Sequence, residues 1–175
     1  MRRLSPVALA LSAPLAVCAY AEVYLSPAGA CTALFPGESF GAVQELPLNK
    51  NELQRIAGES GIEVREAKVR FLKGDDGSLV MVDRVIGKHD VIAYAVGFDA
   101  DGKVAGVEIM EYREAYGGQV RNEKWRAQFK GKALGDPIAI GRDIKNISGA
   151  TLSSSHVTQG VRRLVETYAV VRSRL

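Results

Sequence analysis

The chain has 175 residues, 47% hydrophobic and 25% charged, which suits one ordinary globular domain. Its 23 basic and 20 acidic side chains nearly cancel, and only 7% of residues are aromatic. Taking Arg2 and Arg3 of an expected leader from the 23 bases leaves 21 against 20, so neither charge nor a stacking surface points to a nucleic-acid partner.

The first residues read as a secretory signal. Arg2-Arg3 form a positive start, Val7 to Val17 an apolar stretch broken by Ser12 and Pro14, and Ala19-Tyr20-Ala21 a small-x-small cleavage site before Glu22. The run falls short of the about 20 residues that a membrane span requires. Export to the periplasm with cleavage after Ala21 is the expectation, with an uncleaved anchor as the alternative. Cleavage there removes Cys18 and leaves Cys31 without an internal disulfide partner. With only His89 and His156 as imidazoles and no Cys-x-x-Cys-His, no metal or haem site is expected.

Residues 22–62 are expected to form an N-terminal helical extension: a brief helix around Ala28 to Phe35, then one capped by Asn49 or Asn51, with Leu53, Ile56 and Ala57 on one face, ended by Gly61. From residue 63 to 175 a second region follows. Val64, Ala67, Val69 and Phe71 suggest a strand, and Leu79 to Ile86 its hairpin partner across Gly74-Asp75-Asp76-Gly77. Val91 to Phe98 and Val104 to Met110 flank Asp99-Ala100-Asp101-Gly102, a hairpin signature favoured over a calcium loop, whose later ligands do not follow. Asn122 can cap a short helix through Phe129, and residues 133–147 read as loop and short strand. A long amphipathic helix from about Ser153 to Arg172 closes the chain, with Val157, Val161, Leu164, Val165 and Tyr168 inward and Arg162, Arg163 and Glu166 on the wet side. The sum is an α+β fold: four or five antiparallel strands flanked by helices, with the long C-terminal helix last.

Chemistry concentrates before that helix. Ile147-Ser148-Gly149-Ala150-Thr151-Leu152-Ser153-Ser154-Ser155 places five hydroxyls and a glycine where a helix start offers free N–H groups and partial positive charge, a setting for phosphate. Plain helix capping is the competing reading. Gly37-Glu38-Ser39-Phe40-Gly41 matches a nucleophile-elbow pattern, but Pro36 precedes it and no strand-turn-helix context is expected. His89-Asp90 reads as a surface pair.

The order Ser148-Gly149-Ala150-Thr151, then an apolar residue and Ser153-Ser154, resembles the flavinylation motif of the FMN-binding domain family, which includes flavin subunits of sodium-pumping and Rnf-type electron-transfer complexes. The resemblance covers roughly residues 79–170. It implies FMN joined by its phosphate to Thr151 through the action of a separate flavin transferase. Ser148, Gly149 and Ala150 would be recognition residues, and Leu152, Ser153 and Ser154 the phosphate-proximal turn. Glu114, Tyr116, Gly117 and Gly118 take the place of the family's loop near the flavin, with Ala115 and Tyr116 departing from its Thr-Pro. The family motif has Asp six residues before the threonine; Lys145 stands there, and Asp143 is the nearest acid upstream. Lys145 could instead meet the phosphate as a cation. Trp125 reads as core in preference to a stacking partner for a flavin ring, and His156 as a solvated helix residue in preference to a contact with flavin or phosphate. The resemblance implies an exported electron carrier between a membrane redox partner and a periplasmic acceptor. No residue is assigned as catalytic, and without a Gly-x-Gly-x-x-Gly fingerprint no direct hydride uptake from a nicotinamide is expected. The rivals are a flavin-free or loosely binding regulatory module and a self-sufficient flavin reductase.

Overall fold

A computed structural model describes residues 22–64, 66–114 and 116–175. The leader, including the cleavage site after Ala21, lies outside the described residues. Among the described residues six antiparallel strands form one sheet: β1 (Glu22–Val23), β2 (Gln44–Pro47), β3 (Lys68–Lys73), β4 (Leu79–Ile86), β5 (Val91–Phe98) and β6 (Val104–Tyr112), in spatial order β1-β6-β5-β4-β3-β2. The helices are α1 (Pro27–Leu34), α2 (Lys50–Ser60), α3 (Glu123–Arg126) and α4 (Thr151–Val171).

Of the four strands joined by the two expected turns, β4, β5 and β6 stand where their β-rich runs predict them, while β3 begins at Lys68, after Val64 and Ala67, and each turn has the residue its backbone requires. Gly77 and Gly102 take φ of 85° and 81°, and Asp99 Oδ1 accepts from Asp101 N and Lys103 N, so that carboxylate is spent on the turn. The sheet has one strand more than the highest number expected, because residues 22–47 contribute both edges. β1 pairs with Tyr112 and Glu111, and β2 with Lys68 to Phe71. These edge runs are short and poor in alternating apolar residues, so they carried no strand signal.

Alternation in β5 shows how the sheet is buried on both faces. Ile92, Tyr94, Val96 and Phe98 face the larger core under α4, with Val157, Val161, Leu164 and Val165. Ala95 belongs to the smaller core, with Ala30, Cys31, Leu72, Val80 and Met110 beneath α1. Gly97 and Gly106 sit opposite each other in the β5–β6 register. A Cβ on Gly97 would lie 2.7 Å from Phe35, and one on Gly106 2.9 Å from Leu34. The paired glycines therefore form the hollow in which α1 is seated.

Helix α2 begins with a reciprocal capping box, Asn49 with Glu52, and ends at Gly61 in the left-handed conformation. It lies beside α4, where Arg174 pairs with Glu52 at 2.5 Å and bonds Pro47 O at 3.0 Å. The segment matching the nucleophile-elbow pattern is an irregular loop after α1, with Phe40 tilted on Phe35. It lacks the strand-turn-helix frame that such an elbow requires.

Two further expectations are corrected. Helix α4 starts at Thr151, two residues before the expected Ser153, because Gly149, at φ 81°, makes the turn and Ala150 is the N-cap. Residues 133–147 hold no strand beyond a single bridge between Ile140 and Ile144.

Candidate functional site

The early start of α4 sorts the five hydroxyls. Ser153 is buried, with Oγ 3.0 Å from the Tyr112 hydroxyl. Ser154 is fully buried; its single proton is shared among Asn146 Oδ1 at 2.7 Å, Ala150 O at 2.9 Å and Thr151 O at 3.1 Å. Thr151, by contrast, is exposed at the first helical position. Its Oγ1 accepts from Asn146 Nδ2 at 3.2 Å, which leaves the hydroxyl proton uncommitted. Ser148 and Gly149 are exposed in the loop before it, and Ser155 is half-buried.

The same turn is prepared for an anion. Ala150 has no side-chain acceptor to offer, and no side chain caps the helix. The first-turn N–H groups of a 21-residue helix therefore remain open beside the Thr151 hydroxyl, at its positive end. A phosphate ester at Thr151 fits this arrangement. The hydroxyl is accessible, nothing bulky precedes it, and unspent donors surround it.

Asn146 is the partner that sequence reasoning passed over. The motif points to a carboxylate six residues before Thr151, whereas the group that touches Thr151 is an amide five residues before it. The backbone of Lys145 is held on both sides, its N–H by Gln128 Oε1 and its carbonyl by Trp125 Nε1, each at 2.8 Å, while its side chain is exposed. Trp125 is buried edge-on against Phe129, as expected of a core residue. Asp143 is committed elsewhere. It accepts from Ile138 N and Ala139 N and pairs with Lys132 at 2.9 Å, holding buried Ile138 at φ 38°. Burial raises the Asp143 pKa, but these donors outweigh it and hold the carboxyl below its usual range.

The loop after β6 is tied down at both ends. Tyr112 donates to Tyr116 O and meets Ser153. Gly117, at φ 94°, lies against both: a Cβ there would come within 2.6 Å of each hydroxyl oxygen. Side-chain size at 117 is thereby excluded, which the sequence implied only by analogy. Gly118 is exposed, and the Tyr116 side chain is 86% exposed.

Glu114 has a different placement. Its Oε1 accepts from His89 N at 2.5 Å and Asp90 N at 2.9 Å, clasping the β4–β5 turn. His156, expected in solvent, is half-buried, with Nδ1 3.0 Å from Gly87 O in the same turn. Burial raises the Glu114 pKa, and backbone N–H groups of Asp90, His89 and Lys88 more than reverse this. A carboxyl held below its ordinary pKa stabilises fully above that ordinary value, and its contribution is lost as pH falls through the lowered one. Glu114→Ala is therefore expected to cost about 1 to 2 kcal/mol. Faster hydrogen exchange at Lys88 to Asp90, in the variant at neutral pH and in the parent on acidification, is the measurement.

Beyond His156 a cleft of about 560 Å³ runs between residues 61–64, the end of β4 and α4. Arg163, expected on the wet side of α4, is only 8% exposed on its wall. Its Nη2 meets Asp83 Oδ2 at 2.5 Å, and the same carboxylate oxygen accepts from the fully buried Tyr94 hydroxyl at 3.2 Å. Hydrophobicity places an arginine outside; a carboxylate on the facing strand brings it in.

No helix among the described residues is long and apolar enough to cross a membrane. Residues 87–166 match the family model of the FMN-binding domain, in agreement with the resemblance drawn from Ser148 to Ser154. A component of the Na(+)-translocating ferredoxin:NAD(+) oxidoreductase complex of Acetobacterium woodii is 26% identical over 131 residues, covering 67% of this chain and 63% of that protein. A component of the ion-translocating oxidoreductase complex of Pseudomonas aeruginosa is 28% identical over 123 residues, covering 63% of this chain and 58% of that protein, in two strains. The chain thus spans about three fifths of the length of these relatives.

Proposed function

We propose that this chain, with an FMN-binding domain over residues 87–166, is an exported electron carrier whose FMN is joined through its phosphate to the Thr151 hydroxyl. The observation that carries the reading is the sorting of hydroxyls at the start of α4. Ser153 and Ser154 are buried and bonded, whereas Thr151 is exposed, with its proton free and uncapped helix N–H groups around it. When bound, FMN supplies one- and two-electron transfer. The chain's own part is to hold the phosphate at the helix start, with Asn146 orienting the Thr151 side chain and Gly149 keeping the approach open.

Likeness to components of ion-translocating oxidoreductase complexes supports a membrane-bound redox partner and a place in a relay to a periplasmic acceptor. Attachment would be made by a flavin transferase, and the expected leader would deliver the chain across the membrane. Ser148, Gly149 and Ala150 would be read by that transferase. Tyr116, Gly117 and Gly118 would border the flavin, while Glu114 would act through the turn it clasps. The place of Lys145 favours one other reading, a module that binds flavin loosely or not at all and regulates its membrane partner.

Intact mass, measured on protein produced with and without the transferase, separates the two. The expected result is a gain of one FMN less one water, kept in Ser148→Ala and lost completely in Thr151→Val. An unmodified mass from a flavinylating host, with no uptake of free FMN, would defeat the proposal.

A further inference from the structure

Strand β4 has eight residues, and β3 pairs with only four of them, Leu79 to Val82. β5 follows β4 to Ile86, so Asp83 to Ile86 has a sheet neighbour on one side alone. The chain before Lys68 turns away to the other side, where Ala67 O accepts from Leu48 N at 2.9 Å. The cleft of about 560 Å³ lies in this gap. Glu66 and Lys68 stand on one wall, Arg84 and Ile86 on the other, and α4 forms the floor. The open run from Asp83 to Ile86 has the length of a short strand, roughly 14 Å.

Main-chain direction decides what the gap can take. Gly87 N donates to Asp90 O, so Gly87 faces β5, and alternation along an antiparallel strand turns Val85 and Asp83 the same way. Arg84 and Ile86 then face the gap. Arg84 is already answered there, its N–H by Asp83 Oδ1 at 2.8 Å and its carbonyl by Arg163 Nη2 at 3.4 Å. The N–H and carbonyl of Ile86 have no partner among the described residues. The outer margin of the sheet at β2 is blunted by contrast, since Pro47 has no N–H and its carbonyl accepts from Arg174 at 3.0 Å.

Side chains set the chemistry of the guest. Val69 and Phe71 belong to the core under α4, so Lys68 and Arg70 lie on the opposite face of β3, and Arg84 on that same face of β4. Glu45 and Glu66 answer Lys68 and Arg70 at 2.8 to 3.0 Å, whereas Arg84 is exposed and has no carboxylate partner among the described residues. A strand lying in the gap would set its outward side chains between Lys68 and Arg84, where a carboxylate fits. Its inward side chains would meet apolar Val64, Val85 and Leu164. We infer that the cleft receives an extended acidic segment of a partner protein, which adds to the open edge of β4 at Ile86 with its carboxylates beside Arg84. The main chain of the guest accepts from Ile86 N and donates to Ile86 O. This docking is independent of the flavin tether, since neither Thr151 nor residues 116–118 line the cleft.

The test uses the full-length chain with isotope-labelled amides and three blocked pentapeptides, each with valine at the odd positions. The even positions carry glutamate in the first peptide and lysine in the second; the third is the first with proline at its centre, which an added strand does not tolerate. At millimolar concentration the glutamate peptide should shift the Ile86 amide signal and slow its hydrogen exchange. The lysine and proline peptides should each bind about tenfold more weakly. Arg84→Glu, a change at an exposed position, should reverse the order of the glutamate and lysine peptides while leaving the amide spectrum of the core as it was. No response at Ile86 to the glutamate peptide would overturn the assignment. So would a lysine or proline peptide that binds as well, glutamate-peptide binding unchanged in Arg84→Glu, or shifts gathered around Thr151 in place of Ile86.

Discussion

Asp83→Ala is expected to lower stability by about 2 to 3 kcal/mol, below the roughly 3 to 5 kcal/mol for breaking a fully buried ion pair. Placement sets the difference: Arg163 is nearly enclosed, but the Asp83 side chain is 25% exposed towards the cleft, so water recovers part of the loss. Two groups lose their partner together, the Arg163 guanidinium at 2.5 Å and the Tyr94 hydroxyl at 3.2 Å. Burial and the Asp83 charge push the Tyr94 pKa well up, so its hydroxyl stays neutral and donates. For a chain of this size the change corresponds to a fall in Tm of roughly 4 to 12 °C. Asp83→Asn should cost less, because an amide oxygen can still accept from both partners. Adding Arg163→Met to Asp83→Ala should recover part of the loss, because no unpaired charge is then left inside. Strictly additive thermal shifts in the double variant would mean that the pair carries no coupling.

The second large effect is expected at Gly160, on the turn of α4 that crosses Tyr94. A Cβ there would press on the Tyr94 hydroxyl, lie 2.7 Å from its Cζ and 2.9 Å from Val85 Cγ1. Valine gains a few tenths of a kcal/mol in helix propensity over glycine. Overpacking costs about 1 to 3 kcal/mol, and the Tyr94 ring, fully buried and bonded to Asp83, has nowhere to withdraw. Gly160→Val should therefore destabilise by about 2 to 3 kcal/mol in chemical denaturation. It should also alter the near-ultraviolet tyrosine signal. A midpoint equal to that of the parent would show that α4 can lift from the sheet without cost.

Much of this architecture was legible beforehand because it rests on local rules. An N-cap at Asn49 or Asn51, the cap at Asn122, the turn at Gly102 and the β-rich run from Val91 to Phe98 each specify their element from a few adjacent residues, and the structure selects Asn49. The family resemblance was legible too, since the motif from Ser148 to Ser154 forms one continuous stretch inside the matched residues 87–166. What stayed hidden depends on residues far apart in sequence. Arg163 is drawn inward by Asp83, 80 positions away, and His156 by a carbonyl 69 positions away. Hydropathy alone sends both side chains to water. The edge strands escaped notice for a related reason: two to four residues are too few for a period, and they pair only because β6 and β3 stand ready. Asn146 was visible as a letter, but its role became apparent only when Thr151 and Ser154 were seen to lie one helical turn apart around it.

The way α1 rests on Gly97 and Gly106, with β1 and β2 at opposite margins, bears on where this protein can be cut. Trimming it to the stretch matched by family likeness would strip away a lid, a margin on either side and both β3 and β4. Main-chain donors and acceptors would stand open along the remaining strands, beside greasy surface that α1 once shielded, an invitation to clump. A piece that keeps both sheet margins and the smaller core covered therefore has to begin near residue 22, so the seemingly dispensable N-terminal segment shields the sheet on which α4 is carried.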